Sequence, residues 1–259
     1  MKKIVVITGA SSGIGLSAAE YFTKNGHKVY GLSRRKANGN FESIECDVTN
    51  SQSVEAALSY IYNKEGRIDC FINNAGMGIS GAAEYIPDEK TEKLFNLNVE
   101  AYFACAKRVI PYLKQSRGTL INTSSVAAVI PIPYQAAYSA SKAAINLFTQ
   151  ALRLEVAPFG IKVCAVMPGD TRTGFTDARE KTETDVGYEN SLNKSVGKME
   201  KDERHGKSPL SVAKVMYKLA LKKNPPALKT VGFSYKCVVL LSKILPNRLM
   251  LFIVKKMYC

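Results

Sequence analysis

The chain has two histidines, His27 and His205, and neither has a cysteine or a second histidine nearby. That argues against a zinc-type metal site, which needs clustered nitrogen and sulfur ligands. Its six cysteines (Cys46, Cys70, Cys105, Cys164, Cys237 and Cys259) are scattered and form no C-x-x-C pair. Isolated thiols in apolar runs fit a reduced, cytoplasmic protein better than a disulfide framework or redox motif. No apolar run approaches the roughly 18 residues of a membrane span. Met1-Lys2-Lys3 leads straight into a short apolar run, Ile4 to Ile7 ahead of Thr8, too brief for the core of a secretory signal. Internal repeats and low-complexity tracts are also missing, which excludes solenoid and linker architectures.

What is present is ordinary in amount and uneven in place. A chain of 259 residues, 46% hydrophobic and 22% charged, suits one α/β domain with a substantial core. The net charge is +14, yet residues 1–189 hold 21 basic and 19 acidic side chains, whereas residues 190–259 hold 15 and 3. Within the last quarter, residues 235–259 mix apolar side chains with Lys236, Lys243, Arg248, Lys255 and Lys256 and contain no acid. Pro246 and Asn247 divide this tail into two short helices. Three readings are open: a helix pair lying on an anionic membrane surface, a dimer contact or cap over a substrate pocket, or plain packing. A nucleic-acid partner is not expected, because the tail is apolar where a phosphate-binding segment is polar.

Short apolar runs at 4–8, 29–33, 43–46, 70–73, 119–123 and 162–167 predict strands, with a last one near 227–231. Helical patterns cover 14–24, 51–63, 88–115, 137–158 and 208–222. Continuous apolar strands alternating with amphipathic helices predict a parallel sheet covered on both faces. Residues 170–207 are polar and weakly patterned, and read as a lid or mobile loop. The expected organisation is one domain over 1–232, with the lid inside it, followed by the helical tail at 233–259.

Five groups of residues carry chemistry. Gly9, Ser11, Ser12, Gly13, Ile14 and Gly15 lie where the first strand meets the first helix. Glycines let the backbone approach a pyrophosphate, and the helix start supplies amide donors. Ser33, Arg34 and Arg35 end the second strand; an acid there would favour NAD, whereas arginine suits a 2′-phosphate and so NADP. Asp47 and Val48 follow the third strand, where the carboxylate would lie near adenine, and Asn74, Ala75 and Gly76 follow the fourth. Tyr138 and Lys142 form Y-x-x-x-K, which on a helix places a phenol beside an ammonium. A neighbouring cation is expected to lower the phenol pKa. Ser125, thirteen residues before Tyr138, supplies a hydroxyl to hold a substrate oxygen. The spacing alone is weak, since Tyr60 and Lys64 repeat it without such a serine.

In this order and register, these motifs resemble the classical short-chain dehydrogenase/reductase family over roughly residues 3–175. The matching pieces are T-G-x-x-x-G-x-G at 8–15, D-V at 47–48, N-N-A-G at 73–76, Asn98, Ser125, Y-x-x-x-K at 138–142 and P-G at 168–169. The resemblance implies a Rossmann-type, doubly wound, seven-stranded parallel sheet and a nicotinamide cofactor, NADP(H) preferred over NAD(H). It implies a tetrad of Asn98, Ser125, Tyr138 and Lys142. Tyr138 exchanges the proton, Lys142 lowers its pKa and meets the nicotinamide ribose, Ser125 orients the substrate oxygen, and Asn98 holds a relay water. Pro168, Gly169, Thr171 and Thr173 would lie at the nicotinamide end. The function it implies is interconversion of a carbonyl and a secondary alcohol, on a lipophilic (steroid-, retinoid- or acyl-like) substrate, by a homodimer or homotetramer in the cytoplasm or at the inner face of a membrane. A non-catalytic NADP-binding sensor or scaffold at a membrane surface is the alternative. The substrate pocket is expected from residues 78–85, 129–135 and the lid.

Overall fold

In the first strand, β1 (Ile4–Thr8), Ile4 and Val6 enter one apolar layer while Val5 and Ile7 enter another. A strand buried on both faces has no polar side, so it reads as a continuous apolar run. The computed structural model describes residues 2–182 and 186–258. After β1 come α1 (Gly13–Lys24), β2 (Lys28–Ser33), β3 (Glu42–Glu45), α2 (Ser51–Glu65), β4 (Cys70–Asn73) and a short β5 (Ile79–Ser80). Next are α3 (Asp88–Phe95), α4 (Ala101–Ser116), β6 (Thr119–Thr123), α5 (Ala136–Val156), β7 (Lys162–Met167) and a short β8 (Glu180–Lys181). The chain ends with α6 (Val186–Arg204), α7 (Pro209–Leu221), β9 (Leu228–Thr230), α8 (Phe233–Ile244) and α9 (Asn247–Tyr258).

Seven strands form one parallel sheet in the order β3-β2-β1-β4-β6-β7-β9, the Rossmann-type arrangement expected. Side chains of α2, α4 and α5 cover one face, and those of α1 and α7 cover the other. The strand order reverses between β1 and β4, which opens a crevice at the carboxyl ends of these strands.

Two expectations need correction. The helix predicted at 88–115 is interrupted by a π-helical turn, Asn96–Glu100, between α3 and α4. The lid is not a plain loop: it contains β8 and the long helix α6. Few apolar residues mark α6, since Val196 and Met199 are the buried ones among many charges. Charged side chains along it form ion pairs, Lys181–Glu200 at 2.7 Å, Lys198–Asp202 at 2.9 Å and Arg204–Asp177 at 2.9 Å. Residues 183–185 of the predicted lid and Cys259 of the tail lie outside the described residues.

The three segments expected around the substrate do converge. β5 pairs with β8, and the Gly81 amide donates to the Tyr134 carbonyl at 3.0 Å. The tail splits into α8 and α9 at Pro246 as predicted. Its inner side chains Val239, Met250 and Val254 join Val126, Ile130 and Met167 in a separate apolar cluster. Its outer face leaves Phe233, Leu240, Ile244 and Phe252 exposed by 79%, 59%, 69% and 54%.

Candidate active site

The turn from β1 into α1 is closed too tightly for side chains. Gly9 has φ +67°, and a Cβ at Gly15 would stand 2.2 Å from the Gly9 carbonyl oxygen. Ser12 begins α1 with no side-chain hydrogen bond to the helix, so the first-turn amides point to the crevice without a capping acceptor. Such a turn fits a dinucleotide pyrophosphate, because glycine backbone and helix-start donors come within reach of it. A Cβ at Gly13 would lie 3.4 Å from Thr173, which places Thr173 across this loop. Thr171 does not join it: its hydroxyl donates to the Gly169 carbonyl at 2.9 Å. Ser11 and Ile14 are partly buried in the same turn, and Ile14 packs on the core.

At the other end, the Ser33 hydroxyl donates to the Arg35 carbonyl at 2.7 Å, and both Arg34 and Arg35 are exposed. Burial opposes ionisation of Asp47, but hydrogen bonds from the Thr49 amide (2.9 Å) and hydroxyl (2.7 Å), helped by the Arg34 charge, hold its pKa below the usual value. Val48 is buried in the core, so its role is packing. Asn74 ties strand ends together. Its amide nitrogen donates to the Thr8 carbonyl at 3.1 Å, while its oxygen accepts from the Thr123 hydroxyl at 3.3 Å. The Thr8 hydroxyl accepts from the backbone amides of Asn74 (2.8 Å) and Ala75 (3.0 Å).

The four predicted catalytic side chains meet at the carboxyl end of β6. Ser125 follows that strand; its oxygen accepts from the Ala127 amide at 3.1 Å, and its hydroxyl is close enough to the Tyr138 phenol to lower its pKa. Tyr138 and Lys142 share a face of α5, with the Lys142 ammonium 5.9 Å from the Tyr138 ring centre. Lys142 is buried and donates to the Thr123 carbonyl at 3.0 Å. Asn98 is fully buried in the π-helical turn. It accepts from the Met77 amide and donates to the Met77 carbonyl, both at 2.9 Å, and donates to Ser141 at 3.3 Å. The widened turn is what lets Asn98 reach the segment after β4; single π turns recur at functional sites for this reason. A Cβ at Gly76 would lie 3.1 Å from the Asn98 oxygen and 3.6 Å from the Lys142 nitrogen, so both groups flank the same stretch of backbone.

The expected depression of the Tyr138 pKa by Lys142 is reversed. Burial pushes the phenol up to about 12, against the Ser125 hydroxyl and the Arg179 charge, which lower it. Burial also pulls Lys142 down to about 8. Both shifts have one cause, the removal of water from a charged form. Near neutrality the phenol is therefore protonated and suited to donate.

Several neighbours escaped the sequence reading. Tyr102 donates to the Thr123 carbonyl at 3.2 Å and lies under Lys142, at 5.3 Å; its place four residues after Asn98 was the available signal. Ser141, inside the Y-x-x-x-K motif, donates to the Tyr138 carbonyl at 2.7 Å. The Tyr235 ring of α8 lies against Gly169, where a Cβ would come within 2.4 Å, and its hydroxyl bonds the Asp170 carboxylate. Among the described residues no group of side chains could hold a metal ion.

Residues 3–184 match the family model described as short chain dehydrogenase. A 3-ketodihydrosphingosine reductase of Bacteroides thetaiotaomicron is 42% identical over 99% of this chain and 98% of its own. An NADPH-dependent 1-acyldihydroxyacetone phosphate reductase of Saccharomyces cerevisiae is 30% identical over 71% of this chain and 66% of its own. Among solved structures, a short-chain dehydrogenase from Streptomyces avermitilis superimposes with a TM-score of 0.84 at 27% identity, covering 99% of this chain and 97% of that one.

Lys142 makes a pH-dependent prediction. The folded state disfavours its charge, so between about 8 and the ordinary value near 10.4 the unfolded chain binds the extra proton. Stability from this residue is lowest below that window and rises with pH through it, by about 3 kcal/mol in all. Lys142→Met removes the term, and the Thr123 carbonyl keeps its Tyr102 donor. In denaturant titrations without cofactor, the advantage of the variant at pH 7 is expected to shrink steadily towards pH 10. Parallel pH profiles for the two proteins would contradict the assignment.

Proposed function

The chain belongs to the short-chain dehydrogenase family and acts on alcohol or ketone groups, and within that class we propose that it is an NADP(H)-dependent reductase of a long-chain lipophilic ketone. A ketone of the 3-ketodihydrosphingosine kind is the leading substrate. The observation that carries the reading is the meeting of Ser125 and Tyr138 beside buried Lys142 at the carboxyl end of β6, with the Lys142 ammonium 5.9 Å from the Tyr138 ring centre. A relative with that activity matches nearly the full chain, tail included.

When bound, the nicotinamide supplies a hydride to the carbonyl carbon. Tyr138 gives its proton to the carbonyl oxygen as the alcohol forms. Ser125, whose oxygen already accepts from the Ala127 amide, would donate its one hydroxyl hydrogen to the same substrate oxygen. Lys142 supplies positive charge as Tyr138 loses its proton, and Asn98 serves the route by which the proton is replaced. Exposed Arg34 and Arg35 support NADP through contact with its 2′-phosphate, with Asp47 on the adenine side. Gly9, Ser12 and Gly13 would cradle the pyrophosphate, and Thr173 would contact the nicotinamide end.

Two surfaces support the partner readings. On α4 and α5, Phe103 lies 4.1 Å from Phe148, with Leu147 and Leu154 exposed nearby in sequence, which supports a homodimer face. On α8 and α9, the exposed apolar side chains interleave with five basic residues and no acid, which supports peripheral docking on an anionic bilayer. No helix among the described residues is long and apolar enough to cross a membrane. The buried, unpaired thiols of Cys46, Cys70, Cys105 and Cys164 favour a reducing compartment.

NADPH oxidation is expected with 3-ketodihydrosphingosine in preference to short ketones. Tyr138→Phe should lower kcat by at least about a hundredfold, the ordinary contribution of a general acid, while NADPH still binds by fluorescence titration. Full turnover in that variant would refute the acid assignment. Arg34→Ala is expected to weaken NADPH binding by about tenfold or more, a charged hydrogen bond's worth, and to leave NADH nearly unaffected. Equal losses would count against the 2′-phosphate contact. In co-sedimentation, the protein should bind phosphatidylglycerol vesicles but not phosphatidylcholine vesicles, and salt should release it. Changing Leu240, Ile244 and Phe252 to Ser leaves the inner cluster in place and is expected to abolish binding. Wild-type protein that stays in the supernatant with both vesicles would remove the membrane proposal.

A further inference from the structure

Arg179 is a buried cation in the lid, with a side chain wholly shielded from solvent. It precedes β8, and its guanidinium lies over the Phe175 ring at 5.7 Å; that ring is 6.0 Å from the ring of Tyr138. A Cβ at Gly78 would stand 3.5 Å from its Nε. Arg179 is therefore set against the segment after β4, across the Phe175 ring from Tyr138.

Its hydrogen bonding is half used. Nη2 pairs with the Glu203 carboxylate of α6, whose second oxygen accepts from the Thr176 hydroxyl at 2.7 Å. Nε and Nη1 are buried with no acceptor among the described residues. An arginine that only clamped the lid to α6 would use its planar fork for two parallel bonds. Here the fork is turned so that one nitrogen holds Glu203 and two face elsewhere. Buried donors left unmade are costly and uncommon in folded proteins, so an acceptor from outside the chain is the natural partner. Glu203 already neutralises the guanidinium, so that acceptor needs no charge of its own.

We propose that Arg179 is a specificity residue that donates from Nε and Nη1 to a neutral oxygen, a hydroxyl within a few carbons of the ketone that Tyr138 protonates. This rests on the reductase reading above and sharpens its substrate class to hydroxy ketones. The polar head is fixed at two points, the carbonyl at Ser125 and Tyr138 and the hydroxyl at Arg179; in a ketone of the 3-ketodihydrosphingosine kind the amino group lies between them, and the long apolar chain needs no polar partner. Two-point attachment selects the ketone by its distance from the chain end.

The test compares a long-chain 1-hydroxy-3-ketone with the 3-ketone of equal length that lacks the hydroxyl. For wild-type protein with NADPH, kcat/KM is expected to favour the hydroxy ketone by about 10- to 100-fold, the range for a hydrogen bond to a charged group. Arg179→Met alone would strand the Glu203 charge, so the variant is Arg179→Met combined with Glu203→Gln. The ratio should fall to within about twofold of unity there, with the loss in KM for the hydroxy ketone. Arg179→Lys, which keeps the ion pair but loses the fork, replaces it if circular dichroism shows the double variant unfolded. A wild-type ratio near one, or equal losses on both ketones, overturns the proposal.

Binding is also read without turnover. With NADP⁺ present, the 1,3-diol should raise the wild-type melting temperature more than the matching 3-alcohol, and the difference should vanish in the variant. Equal rises in wild-type protein overturn the Arg179 site. Failure to reduce either ketone, with the diol preference intact, overturns the reductase reading and upholds the Arg179 site.

Discussion

Asn74 and the two threonines it joins hold the site together. β1, β4 and β6 end side by side, and their last residues lack neighbours for their polar groups. Thr8 accepts from the amides of Asn74 and Ala75, Asn74 donates back to the Thr8 carbonyl, and Thr123 donates to Asn74. The Thr123 carbonyl then accepts from Lys142 and Tyr102. The glycine turn after β1, the segment leading to Gly76 and the helices bearing Tyr102 and Lys142 are thus joined by one small polar lattice. The Thr123 carbonyl's bonds to Lys142 and Tyr102 are buried, where little water competes and a lost partner is costly. The same closeness leaves no room for a Cβ at Gly15, which would meet both the Gly9 carbonyl and the Asn74 side chain.

Burial also governs the two ionisable groups of the site. Burial moves Tyr138 and Lys142 in opposite directions on the pH scale, each towards its neutral form. A phenol held protonated is a donor, which suits reduction more than oxidation. The cation is retained near neutrality because its hydrogen bond to a backbone carbonyl replaces part of the lost hydration. Sequence reasoning from adjacency alone foresaw a depressed phenol, because it counted the neighbouring charge and not the desolvation that accompanies it.

Legibility in the sequence followed how local the cause was. β4, β6 and β7 were readable to the residue, since strands covered on both faces are bounded by abrupt losses of apolar character. The division of the tail was readable from Pro246. The π-helical turn was not, because it depends on Asn98 pairing with Met77, twenty-one residues away in sequence. Helix α6 was missed because few apolar residues mark it, and its charged side chains pair with Asp177 and Lys181. Arg179 had no local signature, and its meaning comes from Glu203 and Tyr138, which only the fold brings near.

The tail shows how one segment can satisfy two demands. Its inner side chains Val239, Met250 and Val254 cover Val126, Ile130 and Met167, the residues just beyond Ser125 and before Pro168. Tyr235 lies on Gly169 and bonds Asp170, so α8 braces the backbone that the nicotinamide end would meet. That accounts for one face of each helix. Packing gives no reason for the other face to be apolar as well, since exposed leucine and phenylalanine gain nothing from water. A basic, apolar outer face and a bracing inner face thus share the same two helices, and the inner face forms part of the wall behind Ser125 and Pro168. The packing and surface readings of the tail are therefore compatible, because they concern opposite sides of the same two helices.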